Sequence, residues 1–535
     1  MSRALIRPQR SQAGWPTFCT FANLRTIFNI AMDGLVDQSS RLACASCRSQ
    51  KRKCTRELPS CHLCRKNGRP CVYPGNQATG GGHQHRVSTP SQNTFPALFF
   101  LDSFTFKQRG STISSPPASA LPQEFLQMIG KTPEQLAYVV DSFFAMIHPV
   151  FPIVSKRTLY QQISSEGHHS PDIILLLQCM EILLPNRDEA VIDHRAQYRK
   201  AKQCLHLVED QGIISMRVLQ AALLLSLYEA GHAIFPAAFL SIGHCARIGH
   251  AIGIHDRRGV SQMFPSTMSW TATEEIRRTW WGVIILDRFI NIGLPDRPFA
   301  SIDACPEDLL PMDEILWDLG EQTVVPSLAV SSSTDLPAPP FARTCQAAHL
   351  LSRVLSHIGT SQSTRSPEQY YSEALQLHGI LSSFKLALDQ EVKREEPHAF
   401  LVYSPAQGLC FSAIIALCDN HTCADLDDLS GVGTPEQLKM QETALNTLHE
   451  IGASVWQFAS HLVNLLEPQG SQITISPFAA QCLYAAATQY QWYIEETGKV
   501  DLKAAVDLLK HALGLIGRSW KVGEKYCKIL EGERV

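Results

Sequence analysis

The chain is 535 residues long, carries a net charge of −3, and is 45 % hydrophobic and 18 % charged. Against about 25 % charged in an average soluble protein, this excludes wholesale disorder and implies a large apolar body, with room for about three domains. The apolar runs at residues 173–177 and 283–286 stop well short of the roughly 18–20 residues a bilayer span needs, so no membrane helix and no membrane partner is expected.

Residues 1–32 hold Arg3, Arg7, Arg10 and Arg25 and no acid. A mitochondrial presequence would share that composition, but Pro8 and Pro16 break any helix, so a disordered leader over 1–40 is the plainer expectation. Translation from Met32 is an alternative start.

From 41 to 75 the character changes. Nine Lys or Arg face a single acid, Glu57, giving +8 in a chain whose total is −3, so the remainder carries −11. A compact cationic module on a mildly acidic body points to a polyanion-binding head. Six of the seventeen cysteines fall in the same segment, as Cys44, Cys47, Cys54, Cys61, Cys64 and Cys71, and form a duplicated C-x2-C-x6-C pattern. The other eleven have no regular spacing and read as small buried hydrophobes. Closely spaced thiolates repel one another unless a cation neutralises them, and tetrahedral zinc is the usual soft-ligand partner in a reduced cell. Two tetrahedral ions need eight ligand positions, so two of six cysteines must bridge. The duplicate symmetry makes Cys44 and Cys61 the candidates, while His62 is not needed as a ligand. With so little apolar content, the module depends on the metal for its folding free energy.

The run from Cys44-Ala-Ser-Cys47 through Lys51-Arg-Lys53-Cys54 to Cys61-His-Leu-Cys64 and Pro70-Cys71 resembles the binuclear zinc-cluster DNA-binding domain of fungal transcription factors. The resemblance implies two zinc ions, bridging by the first and fourth cysteines, and a basic run entering the major groove of double-stranded DNA. Pro59 stands two residues before Cys61, as in that family. The helix after Cys47 is expected to carry Lys51 and Lys53 toward a G-rich triplet of CGG type, with Arg52 in the same run. Arg48, Arg65 and Lys66 are placed for phosphate contacts. Gln50 stands where the family often has Arg or Lys, so its contact is neutral or shifted toward adenine. A nuclear-import role for the same residues, and hence a nuclear location, follows. The rival reading is a zinc-cysteine module for protein contact or metal buffering without gene regulation, which would not need the +8 charge.

Residues 76–130 are Gly, Ser, Thr and Pro-rich, carry no heptad repeat and read as a flexible linker. The apolar patch at 95–102 inside it either docks on the body or binds a partner. Without a zipper, a monomer or a homodimer through the body is expected.

The rest is expected to be mainly all-α, a large helical domain in two blocks, 131–322 and 341–535, joined by a Ser/Pro-rich linker at 323–340. Thr132-Pro-Glu-Gln135, Ser366-Pro-Glu-Gln369 and Thr434-Pro-Glu-Gln437 each place a hydroxyl at the N-cap and proline at N1. After the third, Leu438, Leu445, Leu448, Ile451, Val455, Phe458, Leu462 and Leu465 predict an apolar stripe. After the second, Tyr371, Leu375, Ile380, Leu381 and Phe384 predict another. Thr271 and Glu274 open a segment reaching to about Ile292 that is apolar on most sides and is expected to be a central core helix. His244, His250 and His255 fall on no common helix face and read as unrelated. Asp425, Asp427 and Asp428 read as a helix-linking loop, with an activation segment as the alternative. No nucleophile elbow, phosphate-binding loop or dinucleotide fingerprint is present, so an enzyme is not expected.

The stretches beginning Phe143-Phe-Ala-Met, Ala246-Arg-Ile-Gly-His and Arg277-Arg-Thr-Trp-Trp resemble, in this order, the fungal-specific transcription factor domain, or middle homology region. That resemblance implies an all-helical regulatory domain acting on the transcription machinery, with a small-molecule effector among its partners. Members of this kind often activate one biosynthetic cluster, including clusters for secondary metabolites.

Overall fold

The computed structural model describes residues 43–50, 52–57, 60–68, 71, 100–102, 133–164, 170–184, 194–255, 269–294, 296–322, 327–360, 366–394, 399–422, 434–467, 473–498 and 502–533. Two units separate, one within Met1–Pro90 and one within Ser91–Val535. Among the described residues every regular element is a helix, and an isolated antiparallel bridge pairs Leu309 with Ala329.

The small unit holds two short helices, α1 (Ala45–Ser49) and α2 (His62–Lys66). Its buried residues are Cys44, Cys47, Cys61 and Cys64, with Leu63, Cys54 and Cys71 partly buried against them. Sulphur therefore stands where a hydrophobic core would be.

The large unit begins with α3 (Pro133–Met146), α4 (Lys156–Ser164), α5 (Pro171–Ile182), α6 (His194–Asp210), α7 (Met216–Gly231), α8 (Ala237–Ile252) and α9 (Trp270–Ile290). Helix α7 is the hub of this block, packed against α5, α6, α8 and α9. Its polar side chains are buried in consequence and must find partners inside. Arg217 Nη1 donates to Glu275 at 2.6 Å, Gln220 Nε2 donates to the Ile153 carbonyl at 2.8 Å, and Glu229 accepts from Lys202 and Tyr198, each at 2.8 Å.

After α10 (Glu314–Leu319), the second block comprises α11 (Pro340–Gly359), α12 (Pro367–Arg394), α13 (Ala399–Asp419), α14 (Pro435–Leu466), α15 (Phe478–Thr497), α16 (Lys503–Gly517) and α17 (Val522–Leu530). Here α13 is the hub, against α11, α12, α14 and α15. It is long and apolar enough to cross a bilayer, yet 83 % of its most apolar window is buried by these neighbours. Polar residues and Pro405 break its apolar runs, so run length alone does not mark it. At Gly408 a Cβ would lie 2.9 Å from the Phe478 carbonyl oxygen, so the α13–α15 crossing requires glycine.

One continuous core joins the blocks. Helix α9 packs on α11, and Gly231 at the end of α7 lies under Trp520, whose indole N–H donates to the Ile475 carbonyl at 2.6 Å. Of the stretch expected to separate the blocks, residues 327–340 are instead fastened to both: Leu310 N–H donates to the Leu328 carbonyl at 2.7 Å, and Arg343 Nη2 donates to the carbonyls of Thr334 and Leu336 at 2.9 and 2.7 Å. Two fully buried arginines on α9 tie loops to the core. Arg278 bonds Glu274 and the Met312 carbonyl and stacks on Trp317; Arg288 bonds Asp287, Ser301, Asp303 and Ser352.

Ser366 and Thr434 accept from the N3 backbone N–H, at 3.3 and 3.2 Å, and α3 starts at Pro133. Helix α9 opens at Trp270, one residue before Thr271, because its N-cap is Ser269, whose hydroxyl accepts the Ala272 N–H. On α14 the stripe slips: Leu438 and Leu445 are exposed, and Met440 and Ala444 face the core with Ile451, Val455, Phe458 and Leu462. Leu438 is two positions, about 200°, from the buried Met440, a phase that alternative steps of three and four do not resolve. Ile380 on α12 is likewise exposed. His250 and His255, read as unrelated, meet with ring centroids 4.7 Å apart, because α8 ends at Gly253 in the left-handed region and the chain turns back. His244 pairs elsewhere, with Glu209. Seven of the irregularly spaced cysteines are buried, whereas Cys305 is exposed and Cys527 half-buried. Phe100 and Leu101 of the linker patch are exposed, while residues 95–99 of that patch and the acidic cluster at 425–428 lie outside the described residues.

Candidate metal centre and nucleic-acid face

Each C-x2-C pair builds the start of a helix. Cys44 is the N-cap of α1 and its sulphur accepts the Cys47 backbone N–H at 3.4 Å; Cys61 is the N-cap of α2 and accepts from Cys64 at 3.5 Å. The first intrahelical bonds match as well, Arg48 N–H to the Cys44 carbonyl at 2.9 Å and Arg65 N–H to the Cys61 carbonyl at 3.0 Å. The sequence duplication is thus a structural duplication. It aims two helix N-termini, with their partial positive charge, at the sulphurs.

The sulphurs fall into two groups of four, within 4.8 Å of one another in each: Cys44, Cys47, Cys54 and Cys61, and Cys44, Cys61, Cys64 and Cys71. Cys44 and Cys61 belong to both, 3.8 Å apart. A zinc ion with Zn–S bonds of about 2.3 Å in a tetrahedron sets its sulphurs about 3.8 Å from one another. Cys44 to Cys64 and Cys47 to Cys61 are both 3.7 Å. The donor set therefore fits two soft divalent ions. Burial among neighbouring sulphurs pushes the Cys47 and Cys64 thiols up, Cys64 to about 12. Burial acts the same way on Cys54, but backbone hydrogen bonds together with those from the Cys61 and Cys44 side chains outweigh it and hold that thiol at about 7. Thiols raised in this way stay protonated at neutral pH until a cation displaces the protons.

Thr55 is a contributor the sequence did not disclose. Its hydroxyl accepts the His62 backbone N–H at 2.9 Å and fixes the entry to α2. A threonine seven residues upstream matches no capping pattern. His62 is exposed and belongs to neither sulphur group.

Around the sulphurs lie exposed cations: Arg48 in the last turn of α1, Arg52, Lys53 and Arg56 beyond it, and Arg65 and Lys66 at the end of α2. Gln50 is the exposed C-cap of α1. The expected helix after Cys47 is shorter than foreseen: α1 spans Cys47 and ends at Ser49, where the Arg52 N–H folds back to the Cys47 carbonyl at 2.9 Å. Lys53 therefore lies beyond the helix, outside any regular element, and Lys51 and Pro59 lie outside the described residues. Arg65 donates to Glu57 at 3.1 Å and to the Ser60 carbonyl at 2.8 Å, so one of the cations is partly neutralised.

A sulphur-cored module with a cationic exterior, carried in a chain whose other unit is a large helical body, defines a class: a DNA-binding transcription factor. Comparison with known proteins agrees. Residues 42–79 match the family described as the fungal Zn(2)-Cys(6) binuclear cluster domain, and residues 140–393 match the fungal specific transcription factor domain. Transcription factor BOA15 of Botryotinia fuckeliana is 38 % identical over 152 residues, 27 % of this chain and 84 % of that protein. An uncharacterized transcriptional regulatory protein of Schizosaccharomyces pombe is 25 % identical over 47 % of this chain, which spans only 38 % of that relative's length. The azaphilone cluster-specific transcription factor azaR of Aspergillus niger is 25 % identical over 59 % of this chain and 71 % of its own. The chain belongs to the fungal Zn(2)-Cys(6) transcription factors. It is accordingly a DNA-binding regulator and not an enzyme, and its cluster domain is of the kind that binds two zinc ions.

Proposed function

We propose that the chain is a nuclear, sequence-specific regulator that reads a CGG-like element through residues 41–75 and activates a biosynthetic gene cluster, a reading supported by its similarity to azaR, an azaphilone cluster-specific transcription factor. In this reading Cys44, Cys47, Cys54, Cys61, Cys64 and Cys71 hold the two zincs with Cys44 and Cys61 bridging. Lys51 and Lys53 address guanines, Gln50 the flanking base, and Arg48, Arg52, Arg65 and Lys66 the phosphates. The observation that carries it is the pair of four-sulphur groups sharing two members beneath a surface of exposed cations. Zinc in such a place supplies the folding free energy that holds the cationic face in shape.

The helical body, residues 131–535, is then the regulatory part, answering to a small-molecule effector and offering the surface for self-association, while 1–40 and 76–130 are leader and linker. The test is selection from randomised duplexes by the zinc-loaded chain: enrichment of a CGG-containing motif supports the reading, and binding without enrichment returns the module to protein contact or metal buffering.

A further inference from the structure

Consecutive helices α11 and α12, with the loop at 330–334, enclose a groove of about 700 Å³. Small-molecule sites fall in the range of about 300–1,000 Å³ and combine an apolar floor with a few convergent polar groups. Both components are present. Phe384, fully buried, and Leu350, half-buried, form the floor, and Ile380 adds an apolar wall that is 42 % exposed. The polar side includes residues 331–334, all Ser or Thr, with Gln376, His349 and Arg353.

Two features give this groove a chemical preference. No carboxylate lines it, and Arg353 makes no hydrogen bond or ion pair with another described residue. The buried arginines of the body behave otherwise: Arg278, Arg288 and Arg343 are each satisfied by carboxylates and carbonyls. The carboxylate of α12 beyond Gln376, on Glu373, is committed to His357 Nδ1 at 3.0 Å. Within the groove wall His349 Nδ1 is buried without a hydrogen-bond partner. Burial, with Arg353 beside it, lowers the His349 pKa, so the ring is neutral and Arg353 is the cation of the wall. An unpaired guanidinium above an aromatic floor is complementary to an anion with an apolar body, and His349 adds a donor in its Nδ1–H tautomer.

We infer that this groove binds a small amphipathic carboxylate, its carboxylate on Arg353 and the hydroxyl loop and its apolar part across Leu350, Ile380 and Phe384. This assigns a ligand class to the effector reading above and rests on it for the regulatory consequence, not for binding. Because α11 packs on α9, α12 and α13, a ligand here touches elements anchored in both blocks.

The probes are 2-naphthoate and decanoate, with 2-naphthamide as the uncharged counterpart of the first and acetate as an anion lacking the apolar part, titrated calorimetrically into the zinc-loaded full chain. Loss of a charge-assisted hydrogen bond predicts that 2-naphthamide binds at least about tenfold more weakly than 2-naphthoate. Arg353→Gln should bring 2-naphthoate down to the amide's level and leave the amide unchanged. Ile380→Asp should weaken both, and millimolar acetate should not compete. Arg353 and Ile380 are exposed, so helical content should be preserved in each variant. Absence of saturable binding by both carboxylates at millimolar concentration, equal affinity for acid and amide, or indifference to Arg353→Gln would each overturn the assignment. DNA binding is measured on the same preparations: its failure in the unmodified chain refutes the DNA reading, whereas failure of ligand binding alone refutes only this one.

Discussion

Replacing Cys61 by alanine should cost the chain both of its zinc ions, and replacing Cys54 should cost it one. The difference follows from membership: Cys61 lies in both four-sulphur groups and Cys54 in only one. Structural zinc sites contribute roughly 10–16 kcal/mol, so removing one of four thiolates forfeits about 3 kcal/mol per ion, or a hundredfold to a thousandfold in affinity. In Cys61→Ala that loss falls on both ions. It also removes the sulphur that caps α2, leaving the Cys64 N–H without its acceptor. The assay is competition with a chromophoric chelator. The unmodified chain should give up two equivalents late, Cys61→Ala two equivalents early, and Cys54→Ala one early and one late. Retention of one tightly held zinc by Cys61→Ala would refute the bridging role and with it the pairing of the sulphurs.

Other consequences can be measured separately. Burial, with His357 beside it, holds His421 at about 4, well below the 6.5 of an exposed imidazole, and the two Nε2 atoms lie 3.2 Å apart. A depressed folded pKa means that the unfolded chain binds the proton first. This contribution is therefore complete above about pH 6.5 and is lost as pH falls toward 4, by about 3 kcal/mol in all. Urea unfolding followed by far-ultraviolet dichroism should show this, and His421→Phe should flatten the pH dependence by about that amount; an unchanged slope would contradict it. Gly231→Ala places a Cβ 2.1 Å from Trp520 Cε3, on an indole pinned by its bond to Ile475, and should destabilise by about 1–3 kcal/mol, whereas Gly243→Ala, which meets nothing within 4 Å, should be neutral or stabilising in the same thermal melts. Lys51→Ala should weaken binding to a CGG site by about 1–3 kcal/mol and relax discrimination there; an equal loss on random DNA would reassign it to a phosphate.

The metal centre was legible because its ligands are close in sequence: a C-x2-C pair is a helix N-cap and two ligands at once, so spacing carries the geometry. The same locality made the Ser366 and Thr434 caps readable. What resisted reading depends on distant chain. Leu438 and Leu445 look like core residues until α12, α13, α15 and α16 decide which face of α14 is covered. Arg278 and Arg288 look like surface cations on a helix, and only the loops bearing Met312 and Ser301 reveal why both are buried. His250 and His255 meet because Gly253 ends a helix between them, which spacing rules for a continuous helix cannot express. The groove takes residues from a loop and two helices spread over about fifty positions, and no local pattern marks it.

The measurement that bears most directly on the account is binding of the full chain, with and without zinc, to a CGG-containing duplex and to a scrambled one at 50 and 200 mM salt. With about four phosphate contacts, log K should fall with log salt at a slope near −3.6, about a hundredfold weakening over that range. The account predicts that slope, preference for the CGG duplex, and loss of both when zinc is chelated. Equal binding to the two duplexes, or binding that survives chelation, would contradict it.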